Sequence, residues 1–371
     1  MDVTDTASSP VNLAAEPARQ PKSRLIWLRA LAISAVVGFG FWWLLRKGAL
    51  PIVPPSSAFS EVRWPWVWLY VGMWVVLHML RCSRWYFLVR PVSEVSFLRP
   101  LLISLAGYGA QVILPFRMGE AVRPTMIARR GNLTWLAAAG TVGAERVVDG
   151  AFLSLGLGAA LLSVQTLDPL PTRLGQLPLP SNLVRAAAMA AVVVFLSLCI
   201  AMWVFYARRI WAQEVVRRTI GRVSARGGDA VIKFLSRVSE GLAFLSVLRY
   251  SLWFLGLTAI YWALSVASMQ FLFHAVGLVD ATFLQTMIVL GVMGLGLAMP
   301  NAPGFFGAFQ ISCYAALVMF FPAPIVLKEG AAYVFLLYVI QLSVVLVLGL
   351  VAFLAEGFQA RASLIRGHRH L

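Results

Sequence analysis

Charge is what this sequence has least of. Of its 371 residues only 12% are Asp, Glu, Lys or Arg, about half the share that a water-soluble surface carries. Cysteine is equally scarce: Cys82, Cys199 and Cys313 lie far apart, each in or beside an apolar run. No Cys-x-x-Cys pair and no Cys/His spacing is present, so a disulfide framework, a zinc site and a redox centre have no support. There is no P-loop, no nucleophile elbow and no Asp-x-Asp pair for a metal–nucleotide sugar. No cofactor or metal is therefore expected, and enzymatic activity is the less favoured reading.

What the chain does have is apolar length. Hydrophobic residues make up 60% of it, and its mean hydropathy is +0.81. The net charge of +16 does not point to nucleic acid. Lys and Arg cluster in short segments beside apolar runs, where membrane orientation explains them. The expected fold class is all-α, a polytopic integral membrane helix bundle.

Crossing roughly 30 Å of hydrocarbon takes about 20 mostly apolar residues. Runs of that length fall at 25–45, 62–80, 133–164, 183–206, 251–275 and 331–355. Two more apolar stretches fail the pattern. Residues 100–115 are short and run into Pro115 and Arg117, and 283–321 are interrupted by Pro300, Pro303, Gly304 and Gly307. Proline removes a helix donor and glycine loosens the backbone. Broken backbone at membrane depth survives only where protein or a polar cavity shields it. Six full spans plus two broken or re-entrant segments are expected, about eight if the broken ones count.

The positive-inside rule orders this threading. Arg81, Arg84, Arg90, Arg99, Arg123, Arg129 and Arg130 fall on the cytoplasmic side together with the Arg-rich loop 208–250 and both termini. The first 23 residues read as a disordered tail, 24–357 as the transmembrane domain and 358–371 as a basic cytoplasmic tail. Within the basic loop, Val231, Leu235, Val238, Leu242 and Leu245 recur at helical spacing, which predicts an amphipathic helix over 229–249. An extension of the following span is the alternative. The two broken stretches then enter from opposite faces and define two units of opposed orientation, an arrangement known from inverted-repeat transporters. The halves share no clear residue-level similarity, and chance division of an even-numbered bundle is the other explanation.

Ionisable residues inside membrane segments are costly and tend to be functional. Around Pro115, two arginines, Arg117 and Arg123, bracket Glu120 beside Gly119. Guanidinium forks and freed N–H groups suit an anionic headgroup; an interfacial Arg–Glu pair is the plainer account. Glu145, Arg146 and Asp149 sit inside the run 133–164. Glu145 and Asp149 share a helix face, Arg146 can pair with Asp149, and Arg117 or Arg123 is a natural partner for the remaining negative charge. A lock between this helix and the re-entrant loop and a substrate role are both open. The third cluster, Pro303, Gly304, Gly307 and Gln310, offers unwound backbone and a fresh helix N-terminus near Ala308 that attracts anions, or else a tight turn between half-helices. Trp64, Trp66, Trp68, Trp85 and Tyr86 match an aromatic belt. His78 and His274 stand alone, with packing as the default.

Taken in order, P-x-R-x-G-E-x-x-R, E-R-x-x-D and P-x-x-P-G-x-x-G-x-x-Q resemble one family, the lysylphosphatidylglycerol synthase transmembrane region, also called flippase-like. The resemblance covers about residues 60–355. It implies movement of lipids across the cytoplasmic membrane, with an anionic phospholipid, a polyprenyl-phosphate sugar or a hopanoid as partner. It also implies functional roles for Arg117, Gly119, Glu120, Arg123, Glu145, Arg146, Asp149, Pro303, Gly304, Gly307 and Gln310. Two positions depart from the family pattern. Many members carry an acid at the place of Gln310 and a glycine at the place of Phe305. Lysyl-transferring members carry a large soluble acyltransferase domain, whereas this sequence ends at Leu371, so aminoacyl transfer is not expected. The function expected is a lipid flippase at the inner membrane. An integral-membrane transferase acting on a lipid-linked sugar or aminoacyl phospholipid is the rival, and a membrane protein partner or a homo-oligomer stays open.

Overall fold

The computed structural model describes residues 50–130, 133–168, 181–219, 224–298 and 302–367, with scattered residues within 32–47 and 171–178. The tail 1–23, most of the run 25–45, Pro300 and Asn301 lie outside the described residues, as do the side chains of Arg117 and of 358–371.

Helix α1 (Trp64–Ser83) opens with Pro65 in its first turn, where a missing N–H costs nothing. It continues through Arg84 into the short α2 (Trp85–Val89). Helix α3 (Leu98–Ile113) has 16 residues, about 24 Å at helical rise, too short to cross a bilayer unaided. At Leu114 the backbone turns extended, with φ −83° and ψ 137°. A 3-10 segment (Pro115–Ala121) then leads into α4 (Val122–Arg130), which folds back against α3. Pro115 is the physical cause of the break, because its nitrogen cannot continue the helical ladder.

Helix α5 (Trp135–Ser163) runs 29 residues and is capped by Thr134, whose hydroxyl accepts from the Ala137 N–H at 3.3 Å. It is the central helix: half of its apolar window is buried, against 11% for its neighbour α6 (Ser181–Ala207). Helix α6 is almost entirely apolar, as lipid demands. Leu183, Ile200 and Trp203 on α6, each 63% exposed, therefore belong on a lipid-facing flank. A two-residue antiparallel pair, Arg173–Leu174 with Leu177–Pro178, sits in the connection between them.

Helix α7 (Arg209–Arg218) and helix α8 (Ala225–Gly241) follow, and α8 packs along α5. The stripe expected to carry one helix over 229–249 is cut at Gly241. There α8 meets α5 so closely that a Cβ would strike the Ala137 carbonyl oxygen. A 3-10 turn (Ala243–Ser246) buries Leu242 and Phe244 before α9 (Leu248–Ala275) begins.

The second broken stretch mirrors the first in kind. Helix α10 (Phe283–Ala298) is again 16 residues. A 3-10 turn at Pro303–Phe305 and the ten-residue α11 (Ala308–Leu317) follow. The chain ends in α12 (Glu329–Gly367), whose midsection crosses α3 with the backbones almost touching. A Cβ on Gly109 would lie 3.0 Å from the Gly349 Cα, a close approach typical of helix pairs in membranes.

Among the described residues, five helical segments are long and apolar enough to cross a bilayer: Trp64–Val89, Trp135–Ser163, Leu183–Ala207, Leu248–Ala275 and Ala323–Glu356. They match five of the six expected runs, and the chain is an all-α polytopic membrane bundle. The aromatic-belt expectation fails at one place. Trp85 is fully buried, its Nε1–H donating to Thr141 Oγ1 at 3.0 Å, because α2 turns inward toward α5 instead of ending at the interface.

Candidate functional site

Glu145 and Asp149 lie one turn apart on α5 and face the middle of the bundle. Glu145 is the eleventh residue of its helix, about 15 Å from the helix start. An unpaired carboxylate there would cost several kcal/mol, and the surrounding helices supply cations. Arg84, at 0% exposure, reaches across from the α1–α2 junction. Its Nη2 lies 2.6 Å from Asp149 Oδ2 and 3.3 Å from Glu145 Oε1, and its Nη1 donates to Thr258 Oγ1 on α9 at 3.0 Å. Arg123, from α4, places Nη2 2.6 Å from Glu145 Oε2. Arg146 Nη2 lies 3.0 Å from Glu145 Oε1 and 3.8 Å from Asp149 Oδ2. Tyr108 on α3 joins them: its hydroxyl donates to Glu145 Oε1 at 2.9 Å and accepts from Arg146 and from Arg123 Nη1. Arg81, Arg123 and Arg146 stand 4.3, 5.1 and 5.6 Å from its ring centre, within cation–π range. Five helices are thus joined through one ionic cluster, as the lock reading of Glu145 and Arg123 anticipates.

Two glycines make that geometry reachable. The stem of Arg123 lies where a Cβ on Gly107 would be, so α3 leaves a slot for the guanidinium to pass. A Cβ on Gly119 would collide with the backbone of Ala110 and Gln111, which lets the 3-10 segment lie directly on α3. The adjacent Glu120 then reaches Gln111, whose Nε2 donates to Glu120 Oε1 at 3.1 Å. The Gly-Glu pair of the first motif therefore closes the re-entrant hairpin and sets the register that delivers Arg123.

The second break is built on left-handed backbone. Gly304, Phe305 and Gly307 have φ of 68°, 59° and 88°. Gln310 is 4% exposed and its Oε1 accepts from the Gly307 N–H at 2.7 Å, capping its own helix. Its amide is accordingly engaged in holding the turn. Phe305 is the only non-glycine at positive φ among the described residues, and there a side chain costs about 1–2 kcal/mol. Phe305→Gly is expected to raise the thermal unfolding midpoint in detergent by relieving about 1 kcal/mol of strain. An unchanged or lowered midpoint would show that the ring's packing outweighs the strain.

Between the two breaks lies a cavity of about 360 Å³. Arg81, Tyr108, Glu120, Arg146 and Asp149 line it, as do Leu157, Met269, Leu290 and Met293. Phe305 and Phe309 enter from the second break, Gln111 and Val112 from the first. The lining combines charged and polar side chains with aliphatic wall, a mixture that suits an amphipathic occupant.

Of the expected residues, Glu145, Arg146, Asp149 and Arg123 come together in the ionic cluster, and Glu120, Arg146, Asp149 and Gly304 line the cavity. Gly119, Gly307 and Gln310 shape backbone, and Pro303 opens the second 3-10 turn. Sequence reasoning placed Arg81 and Arg84 on the cytoplasmic side without a site role and left His78 to packing. It passed over Tyr108. Trp74, His78 and Arg81, at i, i+4 and i+7 on α1, were the available signal, a polar stripe running into the end of a span.

No curated protein and no solved structure matches the chain. A family model does: the lysylphosphatidylglycerol synthase TM region matches residues 27–349, and the chain belongs to that family.

Proposed function

We propose that this protein binds the headgroup of an anionic or polyprenyl-linked lipid in the cavity between its broken helices and passes the lipid across the cytoplasmic membrane. The carrying observation is the cavity itself. Its lining is both polar and apolar, it is walled by both broken stretches, and it includes the guanidinium-bearing Arg81 and Arg146. The side of the bundle that carries these arginines faces the cytoplasm in this reading, by the positive-inside rule, with both termini on that side.

The transferase alternative needs a carboxylate that can take up a proton. Glu145 is held by three arginines and a tyrosine, and Asp149 by two arginines. A proton taken up by either would cancel the charge that those buried guanidiniums need. That favours transport. Reconstitution in proteoliposomes with headgroup-labelled lipids tests the proposal. Accelerated exchange of an anionic lipid between leaflets is the expected result, with Arg146→Ala slowing it at least about tenfold. Exchange no faster than in protein-free vesicles, for every anionic and isoprenoid lipid tried, overturns it.

A further inference from the structure

Helices α7 and α8 form a basic hairpin that takes no part in the cavity, since none of its residues lines it. Three spans fix its height. Helix α7 starts at Arg209, one residue after α6 ends at Ala207, and Arg209 Nη1 donates back to the Tyr206 carbonyl at 2.8 Å. Helix α8 packs on α5 at Ala137 and Gly140. Both belong to the first two turns of that helix, within about 10 Å of its start. The Tyr206 hydroxyl donates at 3.0 Å to Ser246 Oγ, in the turn that leads into α9. The hairpin therefore lies where α5, α6 and α9 end, at the level of the lipid headgroups.

Its outer faces mix two chemistries. On α7, Ile210 and Trp211 are 76% and 65% exposed. Arg217 and Arg218 follow them at a spacing of seven, which puts both on the same face, and both side chains are open to the surroundings. On α8, Arg226, Lys233 and Arg237 recur at i, i+7 and i+11, all exposed, with the exposed Phe234 beside them. With Arg208 and Arg209, seven basic residues stand against Glu214, Asp229 and Glu240 among the described residues of 208–241. Water gives no reason to hold an indole and an isoleucine side by side in the open. A headgroup layer does: apolar side chains reach the acyl boundary while guanidiniums stay among the phosphates. Charge and height together choose the occupant, because anionic phospholipid is the negative partner present at that level of a cytoplasmic leaflet.

We infer that the outer face of the α7–α8 hairpin is a docking surface for anionic phospholipid of the cytoplasmic leaflet, separate from the cavity. Ile210, Trp211 and Phe234 enter the acyl boundary, and the basic side chains on the same faces hold the phosphates. This surface binds whether or not the cavity passes lipid.

Full-length protein in nanodiscs tests it, by amide hydrogen exchange read over 209–218 and 225–241. The discs hold phosphatidylcholine alone, or phosphatidylcholine with roughly a third phosphatidylglycerol. Exchange in both helices is expected to be at least about fivefold slower in the anionic discs, and salt at about 0.5 M is expected to remove most of the difference. Arg217→Gln with Arg218→Gln is expected to remove at least half of it in α7 and to leave exchange in α5 unchanged. Both arginines are exposed and pair with the surface residue Glu214, so the variant is expected to fold. Trp211→Ser is expected to speed exchange of α7 in both kinds of disc. Equal exchange in neutral and anionic discs overturns the inference. Protection by glycerol phosphate in neutral discs, as strong as by phosphatidylglycerol, assigns the face to a soluble phosphate ester and overturns the lipid occupant. Trp211→Ser without effect in either disc turns the face to water and overturns the leaflet as its partner.

Discussion

Glu145→Ala is expected to cost about 3–5 kcal/mol of stability, the size seen when one member of a buried charge cluster is removed. The carboxylate is fully buried and is contacted by Arg84, Arg123, Arg146 and Tyr108. Without it, three guanidiniums converge on a site where Asp149 alone remains, and Asp149 already holds Arg84 at 2.6 Å. Like charges at this spacing in a low-dielectric interior repel strongly. Thermal unfolding in detergent checks the effect, with Glu214→Ala as the comparison. Glu214 also pairs with two arginines, Arg217 and Arg218, but it is half-buried at most and both arginines are exposed, and its loss is expected to stay within about 0.5 kcal/mol. A midpoint for Glu145→Ala close to that of Glu214→Ala would show that the cluster does not hold the bundle.

A second arm separates charge from shape. In Arg123→Met with Glu145→Met one cation and one anion leave together. Arg84 and Arg146 still face Asp149 without a third guanidinium, and removing opposite buried charges together costs less than removing one alone. The double variant is therefore expected to be more stable than Glu145→Ala, a coupling that a mutant cycle reads directly. Within the proposed function it is also expected to lose lipid exchange, since Arg123 is the cluster's link to the re-entrant hairpin. Folded protein without exchange would place the pair in the lipid-moving step.

The long helices were legible because a bilayer imposes one length and one polarity. The runs 133–164, 183–206 and 251–275 correspond to Trp135–Ser163, Ser181–Ala207 and Leu248–Ala275 within a few residues. Both breaks were legible for a different reason: Pro115 follows directly on the end of α3, where its nitrogen cannot continue the ladder, and Pro303 opens the 3-10 turn after α10. The cluster was half legible. Glu145, Arg146 and Asp149 stand out inside an apolar run, and a net negative charge there calls for a cation from another segment. The part of Arg84 in the cluster was not legible, because an arginine at the end of a span ordinarily sits in the headgroups. Here α2 carries the chain back inward, and no local pattern distinguishes that from an exit. Tyr108 carries no charge to mark it, so its place among three guanidiniums emerges only when α3, α4 and α5 are packed. The amphipathic helix was drawn too long because its apolar period continues through the 3-10 turn after Gly241, and only the contact with Ala137 shows where the helix stops.

Gly119→Ala is the substitution expected to disable the protein with the smallest change in mass. The added Cβ would collide with the backbone of Ala110 and Gln111, and backbone cannot rotate aside as a side chain can. The 3-10 segment must then lift from α3. The Gln111–Glu120 hydrogen bond at 3.1 Å opens, and Arg123, four residues on, shifts away from Glu145. Overpacking of this kind costs about 1–3 kcal/mol, and the displaced Arg123 adds to it. Gly72 and Gly143 provide the contrast: both are helical, and a Cβ at either meets nothing within 4 Å. Alanine there is expected to be neutral or to stabilise by up to about 1 kcal/mol. A lower unfolding midpoint in Gly119→Ala but not in Gly143→Ala would locate the effect in the closure of the hairpin. The same two variants divide the functional reading, because Gly143 shares α5 with the ionic cluster whereas Gly119 touches neither the cluster nor its charges. Loss of lipid exchange in Gly119→Ala alone would mean that the position of the re-entrant hairpin, and with it the delivery of Arg123, governs passage through the cavity. Wild-type exchange in Gly119→Ala would remove the hairpin from the mechanism and leave the cavity wall to account for it.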